Sequence, residues 1–150
     1  MEKLLKKKML LNNCIEHQKT SIANAKKALA SIQESVLEEK SSIEDSMESF
    51  RESLQSDREM YSRQVQESTE GLAVLSRIGL NAYNTVKLGA VVETNSMNYF
   101  ISISLGEIKI ENEKFIAIST NTPIYQLIAG KKKGDIFNFR GQDSTILDVY

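Results

Sequence analysis

Residues 15–36, IEHQKTSIANAKKALASIQESV, decide the N-terminal half of the fold, because apolar side chains recur there every seven positions. The repeat extends over residues 2–37 as two interleaved lines of an a/d seam: Ile15, Ile22, Leu29 and Val36, and Leu4, Leu11, Gln18, Ala25 and Ile32. The seam is polar only at Gln18, and the remaining faces are rich in Lys, Glu, Asn, Gln and Ser. This pattern predicts one long amphipathic helix that buries a narrow stripe and therefore needs a partner.

A second helix is predicted after the polar segment 38–42, because an apolar or small residue again recurs by seven downstream. The recurring positions are Met47, Leu54, Tyr61, Ser68 and Leu75. Two long helices joined by a short polar segment form an antiparallel coiled-coil hairpin. We therefore assign residues 1–80 to a helical hairpin, with Cys14 beside its seam as a small, partly buried residue.

The glycines and the proline lie in the second half of the chain. None of the seven glycines precedes Gly71, and Pro123 is the only proline among the 150 residues. Because turns need such residues, the chain combines a hairpin with a turn-rich domain at 85–150.

The cysteine content and the hydropathy exclude several classes of protein. One cysteine cannot form an internal disulfide, and one cysteine with one histidine cannot form a zinc site of the usual kind. No apolar run is long enough to span a bilayer, and the charged start lacks the apolar stretch of a signal peptide. We expect a cytoplasmic protein without a membrane partner.

The second half predicts a small, mostly antiparallel sheet with one short helix, in an α+β fold. Strands are expected at residues 86–93, 98–105, 114–119, 135–140 and 145–150. The helix is expected to begin at Pro123, with Thr122 as its N-cap and Gly130 at its end. Its apolar face would consist of Ile124, Leu127 and Ile128.

Acidic residues concentrate in an acidic tip near residues 38–48, although the net charge of the whole chain is only −1. Nine acidic residues stand against three basic ones between residues 34 and 59. Asp45 and Glu48 are three apart, so in a first helical turn both carboxylates project to one side. They either cap the second helix, or bring negative charge to a metal ion or a basic cavity.

The second domain has one basic patch, which comprises Lys131, Lys132 and Lys133. Lysines are favoured near a helix C-terminus by the helix dipole, so the run is interpreted first as solvated surface. The other interpretation is electrostatic docking to an acidic partner.

The segment 122–135, TPIYQLIAGKKKGD, resembles the C-terminal signature of the bacterial GreA/GreB transcript cleavage factors. That family carries Ser/Thr-Pro-aliphatic, a short helix, Gly-Lys and Gly-Asp in this order, in an FKBP-like β domain behind a helical hairpin. The resemblance covers nearly the whole chain, which is most similar to a short, divergent Gre-like member. It implies that the hairpin enters the secondary channel of bacterial RNA polymerase while the second domain docks at the rim.

The resemblance also implies roles for residues at the acidic tip. Asp45 and Glu48 match the family's Asp-x-x-Glu, which would help to hold a second Mg²⁺ in the polymerase active site for cleavage of backtracked RNA. Glu44 stands where the family has a glycine and would be a third contact; Phe50 and Arg51 would be accessory residues. Contact with the nascent RNA 3′ end would be indirect.

On this resemblance the protein is a transcription elongation factor and not itself an enzyme. It would hold no cofactor of its own, share Mg²⁺ with the polymerase only in the complex, and act as a monomer. Pro123 and Lys131–Lys133 would be the docking residues of the second domain.

Three alternatives stay open at this point. A Gre-like arm that occupies the channel can instead inhibit or retune transcription without cleavage. The β domain could act as an FKBP-like prolyl isomerase or chaperone, which needs an aromatic-lined pocket. A plain coiled-coil adaptor would form a concentration-dependent dimer and would not associate with polymerase.

Overall fold

The computed structural model describes residues 2–39 and 48–150 and has the predicted α+β class. The helices and strands follow in the order α1 (Lys3–Glu39), α2 (Glu48–Leu75), β1 (Val91–Thr94), β2 (Asn98–Ile101), β3 (Gly106–Ile110), β4 (Glu113–Ile118), α3 (Pro123–Ile128), β5 (Ile136–Phe139) and β6 (Gln142–Val149). In the described part of the chain, no helix is both long and apolar enough to cross a membrane.

The chain divides into two compact units. One consists of Met1–Ile15 together with Ala73–Tyr150, and the other is Glu16–Leu72. The first turns of α1 therefore belong to the same unit as the sheet. The limits at 1–80 and 85–150, which follow from sequence periodicity, stay predictions.

In the unit Glu16–Leu72, α1 and α2 pair antiparallel. The Gln64 amide and the Ser68 hydroxyl of α2 each donate a hydrogen bond of 3.1 Å to the Ser21 hydroxyl of α1. Gln18 of α1 packs against Gly71 of α2. The numbers of contacting residues therefore increase along α1 while they decrease along α2, which is an antiparallel arrangement. These contacts confirm the predicted hairpin pairing.

The heptad seam is buried along one of its two lines. Gln18, Ala25 and Ile32 are buried, whereas the other line is half-buried and comprises Ile22, Leu29 and Val36. A two-helix pair covers only one stripe of each helix, so the flanking line keeps contact with solvent.

The sheet has six strands in the order β3-β4-β2-β1-β6-β5. Every pairing is antiparallel except β2 with β4, which are parallel. The β3–β4 hairpin places β4, and not β3, next to β2, so these two strands run in the same direction. The sheet is thus mostly antiparallel, as expected, with one parallel pair.

Strand limits differ from the predicted ones in the first part of the sheet. β1 begins at Val91 and not at residue 86, because Gly89, with φ 92°, turns the chain immediately before it. β2 ends at Ile101, so the predicted extension to residue 105 is wrong. β3 was not predicted, although Ile108 and Ile110 are its buried alternate residues.

The two faces of the sheet are covered by different elements. One face packs with α3 around a cluster that comprises Val86, Ala90, Val92, Tyr99, Ile101, Ile118, Ile124, Ile128, Phe137, Ile146 and Val149. Glu93 and Glu113, which lie outside this cluster, form ion pairs with Lys6 near the start of α1, and Cys14 lies farther along that helix. The Cys14 Sγ atom lies 4.0 Å from the Ser102 Oγ atom, and Cys14 is fully buried, more than the expected partial burial.

Candidate functional site

The candidate site is the end of the hairpin where α1 finishes at Glu39 and α2 begins at Glu48. Because the helices are antiparallel, the C-terminus of α1 and the N-terminus of α2 lie at the same end of the helix pair. Near this end lies a notch of about 150 Å³ between the helices, lined by Leu29, Ile32, Gln33, Val36, Leu37 and Arg58. The sequence analysis did not predict this notch.

Glu48 is the first residue of α2, and its side chain is exposed. A carboxylate in a first helical turn is stabilised by the positive end of the helix dipole. Asp45 and Glu44 lie outside the described residues, so their placement beside Glu48 stays a prediction.

Phe50 and Arg51 follow in the first turn of α2, and both are exposed. Phe50 keeps 46% of its surface accessible; the accessory roles of Phe50 and Arg51 at the tip stay predictions.

The other described acidic residues of the cluster are solvent-facing. They are Glu34, Glu52, Asp57 and Glu59. Glu59 accepts a hydrogen bond of 3.2 Å from the Gln55 amide within α2. The described acidic side chains of this region therefore face solvent, while no three Asp, Glu, His or Cys residues of the described ranges gather into a group that could hold a metal ion.

The residues expected to dock a partner lie at the two ends of α3. The Thr122 hydroxyl accepts a hydrogen bond of 3.4 Å from the Tyr125 amide, which confirms the N-cap, and Pro123 is exposed at the first helical position. Leu127, expected on the buried face, is 39% exposed; the buried face is formed by Ile124 and Ile128 alone.

The lysine run has a fixed backbone. The Lys131 carbonyl accepts a hydrogen bond of 2.8 Å from the Val86 amide, and the Lys132 amide donates one of 2.9 Å to the Asp135 carboxylate. Lys131 is half-buried, whereas Lys132 and Lys133 are exposed. Two ammonium groups are thereby presented on a rigid turn, an arrangement that suits both a solvated surface and a docking contact.

The fold and the site define an α+β protein with a long helical hairpin and a six-stranded sheet. No family model matches the chain, and no curated protein matches it.

Three solved structures to which the chain is similar are structures of Gfh1. They are the transcription factor Gfh1 (14% identity over 91% of this chain and 92% of that chain, TM-score 0.37), Thermus aquaticus Gfh1 (17%, 90% and 92%, 0.35) and GreA factor homolog 1 (Gfh1) of Thermus thermophilus (14%, 95% and 93%, 0.35). At these identities and TM-scores the likeness assigns neither a family nor a function to the chain.

Proposed function

We propose that this chain is a cytoplasmic accessory factor of bacterial RNA polymerase that stimulates cleavage of backtracked RNA. Its hairpin would enter the secondary channel and present carboxylates at the polymerase active site. The observation that carries the proposal is the exposed Glu48 in the first turn of α2, at the acid-rich end of an antiparallel helix pair. The resemblance of segment 122–135 to the GreA/GreB signature supplies the partner.

The chemistry of the tip suits Mg²⁺. Carboxylate oxygens are ligands that Mg²⁺ prefers, and the ion commonly keeps several waters, so one or two added carboxylates are enough to position it. Asp45 and Glu48 would be those ligands, with Glu44 beside them. An ion held there supplies Lewis-acid activation of a water for phosphodiester hydrolysis.

The tasks of this chain's own residues are binding and orientation. Glu48 is anchored on a helix, which limits the positions of its carboxylate, and Pro123 with Lys131–Lys133 would dock the second domain. The active site belongs to the polymerase, so the isolated protein should hydrolyse no RNA.

The test is Asp45→Asn combined with Glu48→Gln, assayed on stalled elongation complexes. We expect polymerase binding to persist and the stimulated cleavage rate to fall by about 10–100-fold, the usual effect of removing groups that tune a metal site. The matched control is Glu34→Gln with Glu52→Gln, which removes the same charge from two exposed helix positions and should leave cleavage unchanged. Unchanged cleavage with the tip variant would remove the proposed role.

The alternative is a factor that also binds RNA polymerase but inhibits RNA cleavage. Glu44 in place of the family's glycine alters the tip, and a factor that only occupies the channel would slow cleavage by the polymerase. Adding the purified wild-type protein to a backtracked complex separates the two: faster cleavage supports the proposal, and slower cleavage supports the inhibitory regulator.

Five of the seven aromatic residues of the β domain are buried. They are Tyr99, Phe100, Phe115, Phe137 and Tyr150. An isomerase needs aromatic side chains around an accessible prolyl pocket, so their burial favours a binding module over an FKBP-like enzyme. We expect no activity in a prolyl-peptide isomerisation assay.

A further inference from the structure

Lys7 of α1 is completely buried, an unusual position for a lysine. Its Nζ atom donates a hydrogen bond of 2.6 Å to the Asn81 carbonyl oxygen. The same atom lies 4.3 Å from the centroid of the Tyr83 ring. Both contacts are in the segment that connects α2 to β1, so this one side chain attaches that segment to α1.

The sheet carboxylates that pair with α1 are engaged by other lysines. Lys6 pairs with Glu113 at 2.8 Å and Glu93 at 3.7 Å, and Lys3 pairs with Asp148 at 2.7 Å. Over residues 2–39 and 48–150, no ion pair to Lys7 is formed.

The charged and titratable groups that face Lys7 from the connecting segment are the Tyr83 phenol and the Lys87 ammonium. The Lys87 Nζ atom lies 4.1 Å from the centroid of the same Tyr83 ring. One aromatic ring thus contacts two cations. On α1 itself, Lys3 and Lys6 make their ion pairs with the carboxylates of the sheet.

The Tyr83 ring also packs against the backbone at Gly89. A Cβ atom built on Gly89 would lie 3.3 Å from Tyr83 Cε2 and 3.2 Å from Ile78 Cγ2, so the backbone at Gly89 packs directly against both side chains. Tyr83 therefore links Lys7 of α1 to the packing of Gly89 and Ile78 in the connecting segment.

A buried ammonium without a carboxylate partner has lost its hydration without a full replacement. One hydrogen bond and a cation–π contact offset only part of that cost. Burial, and after it the charge of Lys87, lowers the pKa of Lys7 from 10.5 to about 8.

We propose that Lys7 makes the attachment of residues 78–89 to α1 sensitive to pH, with the neutral amine holding the segment and the protonated amine loosening it. When the segment detaches, water reaches the amine and its ordinary affinity for protons returns. The detached state thus binds more protons than the attached state between about pH 8 and 10.5, and the attachment strengthens as pH rises through that window.

The test follows the opening equilibrium of this segment by hydrogen exchange at the amides of Val86 and Gly89. These amides donate hydrogen bonds of 2.8 Å to Lys131 and Ile101, so they exchange only after opening. After correction for the intrinsic rate of exchange, we expect the wild-type opening constant to fall roughly tenfold between pH 7 and pH 9.

Two variants determine whether Lys7 is responsible. Lys7→Met keeps an unbranched apolar chain one atom shorter, without the titratable amine, and should abolish the tenfold change. Lys8→Met, at the exposed neighbouring position, should keep it. A Lys7→Met protein with the wild-type pH dependence would overturn the proposal.

A measurement on the wild-type protein keeps the proposal testable if Lys7→Met does not fold. The Lys7 side chain is titrated by NMR through its Cε resonance. A midpoint near 8 supports the proposal, and a midpoint near the ordinary lysine value of 10.5 overturns it. Neither outcome depends on the function proposed above.

Discussion

The Ser68 hydroxyl of α2 donates a hydrogen bond of 3.1 Å to the Ser21 hydroxyl of α1, and the Gln64 amide donates to the same oxygen. Ser68 is a buried seam residue of α2, as Gln18 is of α1. Buried polar groups in a coiled coil favour the register in which they find partners, since any other register leaves them unpaired.

Removing the shared acceptor should cost more than removing one donor. Ser21→Ala leaves both Gln64 and Ser68 without their partner, and we expect a loss of about 1–3 kcal/mol in the free energy of unfolding, against about 1 kcal/mol for Ser68→Ala. Urea denaturation measures both, with the exposed Ser62→Ala as the control. If the double variant equals the sum of the single variants, the two hydroxyls are not coupled.

Gly89 and Gly130 both have positive φ angles, 92° and 77°, yet they should respond differently to alanine. A methyl group at Gly89 would lie 3.2 Å from Ile78 Cγ2, whereas at Gly130 nothing lies within 4 Å. Gly130→Ala should therefore cost only the backbone strain of about 1–2 kcal/mol, and Gly89→Ala should cost more because of the added steric contact. Equal losses in thermal unfolding would contradict the close packing at Gly89.

Lys6 should contribute more to stability than Lys3 does. Its side chain is 13% exposed and pairs with Glu113 and Glu93, whereas Lys3 is 60% exposed with one partner. We expect Lys6→Met to lower the free energy of unfolding by about 1 kcal/mol and Lys3→Met by less than half of that. Denaturation at neutral pH compares the two variants directly, and an equal or larger loss for Lys3→Met would be the contrary result.

The Lys6 contribution should also persist at alkaline pH. The hydrogen bond to Glu113 raises the pKa of Lys6 above the ordinary 10.5, although burial opposes the shift. The stabilisation is therefore present in full below pH 10.5 and is lost as pH rises through the raised pKa of the folded protein. Wild-type and Lys6→Met stabilities should converge only above that range.

Cys14 should resist thiol reagents in the native state. Burial raises the pKa of its thiol to about 11, so little thiolate exists at pH 8, and the side chain is fully buried. We expect labelling only at the rate of unfolding. Asn13→Cys in a Cys14→Ala background places the thiol at an exposed neighbouring position and should react at once; equal rates for the two proteins would show that Cys14 is accessible.

Local signals in the sequence were sufficient for the helices and for α3. The heptad spacing predicted both helices of the hairpin, and Thr122-Pro123 predicted the start of α3, because capping and periodicity depend on neighbours within a few residues. The sheet was harder to predict. Residues 86–90 include strand-forming types, but Gly89 has a positive φ and turns the chain there, so β1 begins only at Val91. β3 is formed through its pairing with β4, which the residues of β3 alone do not indicate.

The sequence by itself determined the hairpin, the α+β class and the acidic character of the tip, since all three depend on residue spacing and on charge along the chain. The tertiary structure alone decided which polar groups are buried. Lys7 and Cys14 look like flanking residues of a heptad, yet both are fully buried against residues from the second half of the chain, Asn81 and Ser102. Burial depends on contacts between residues far apart in sequence, which no local pattern encodes.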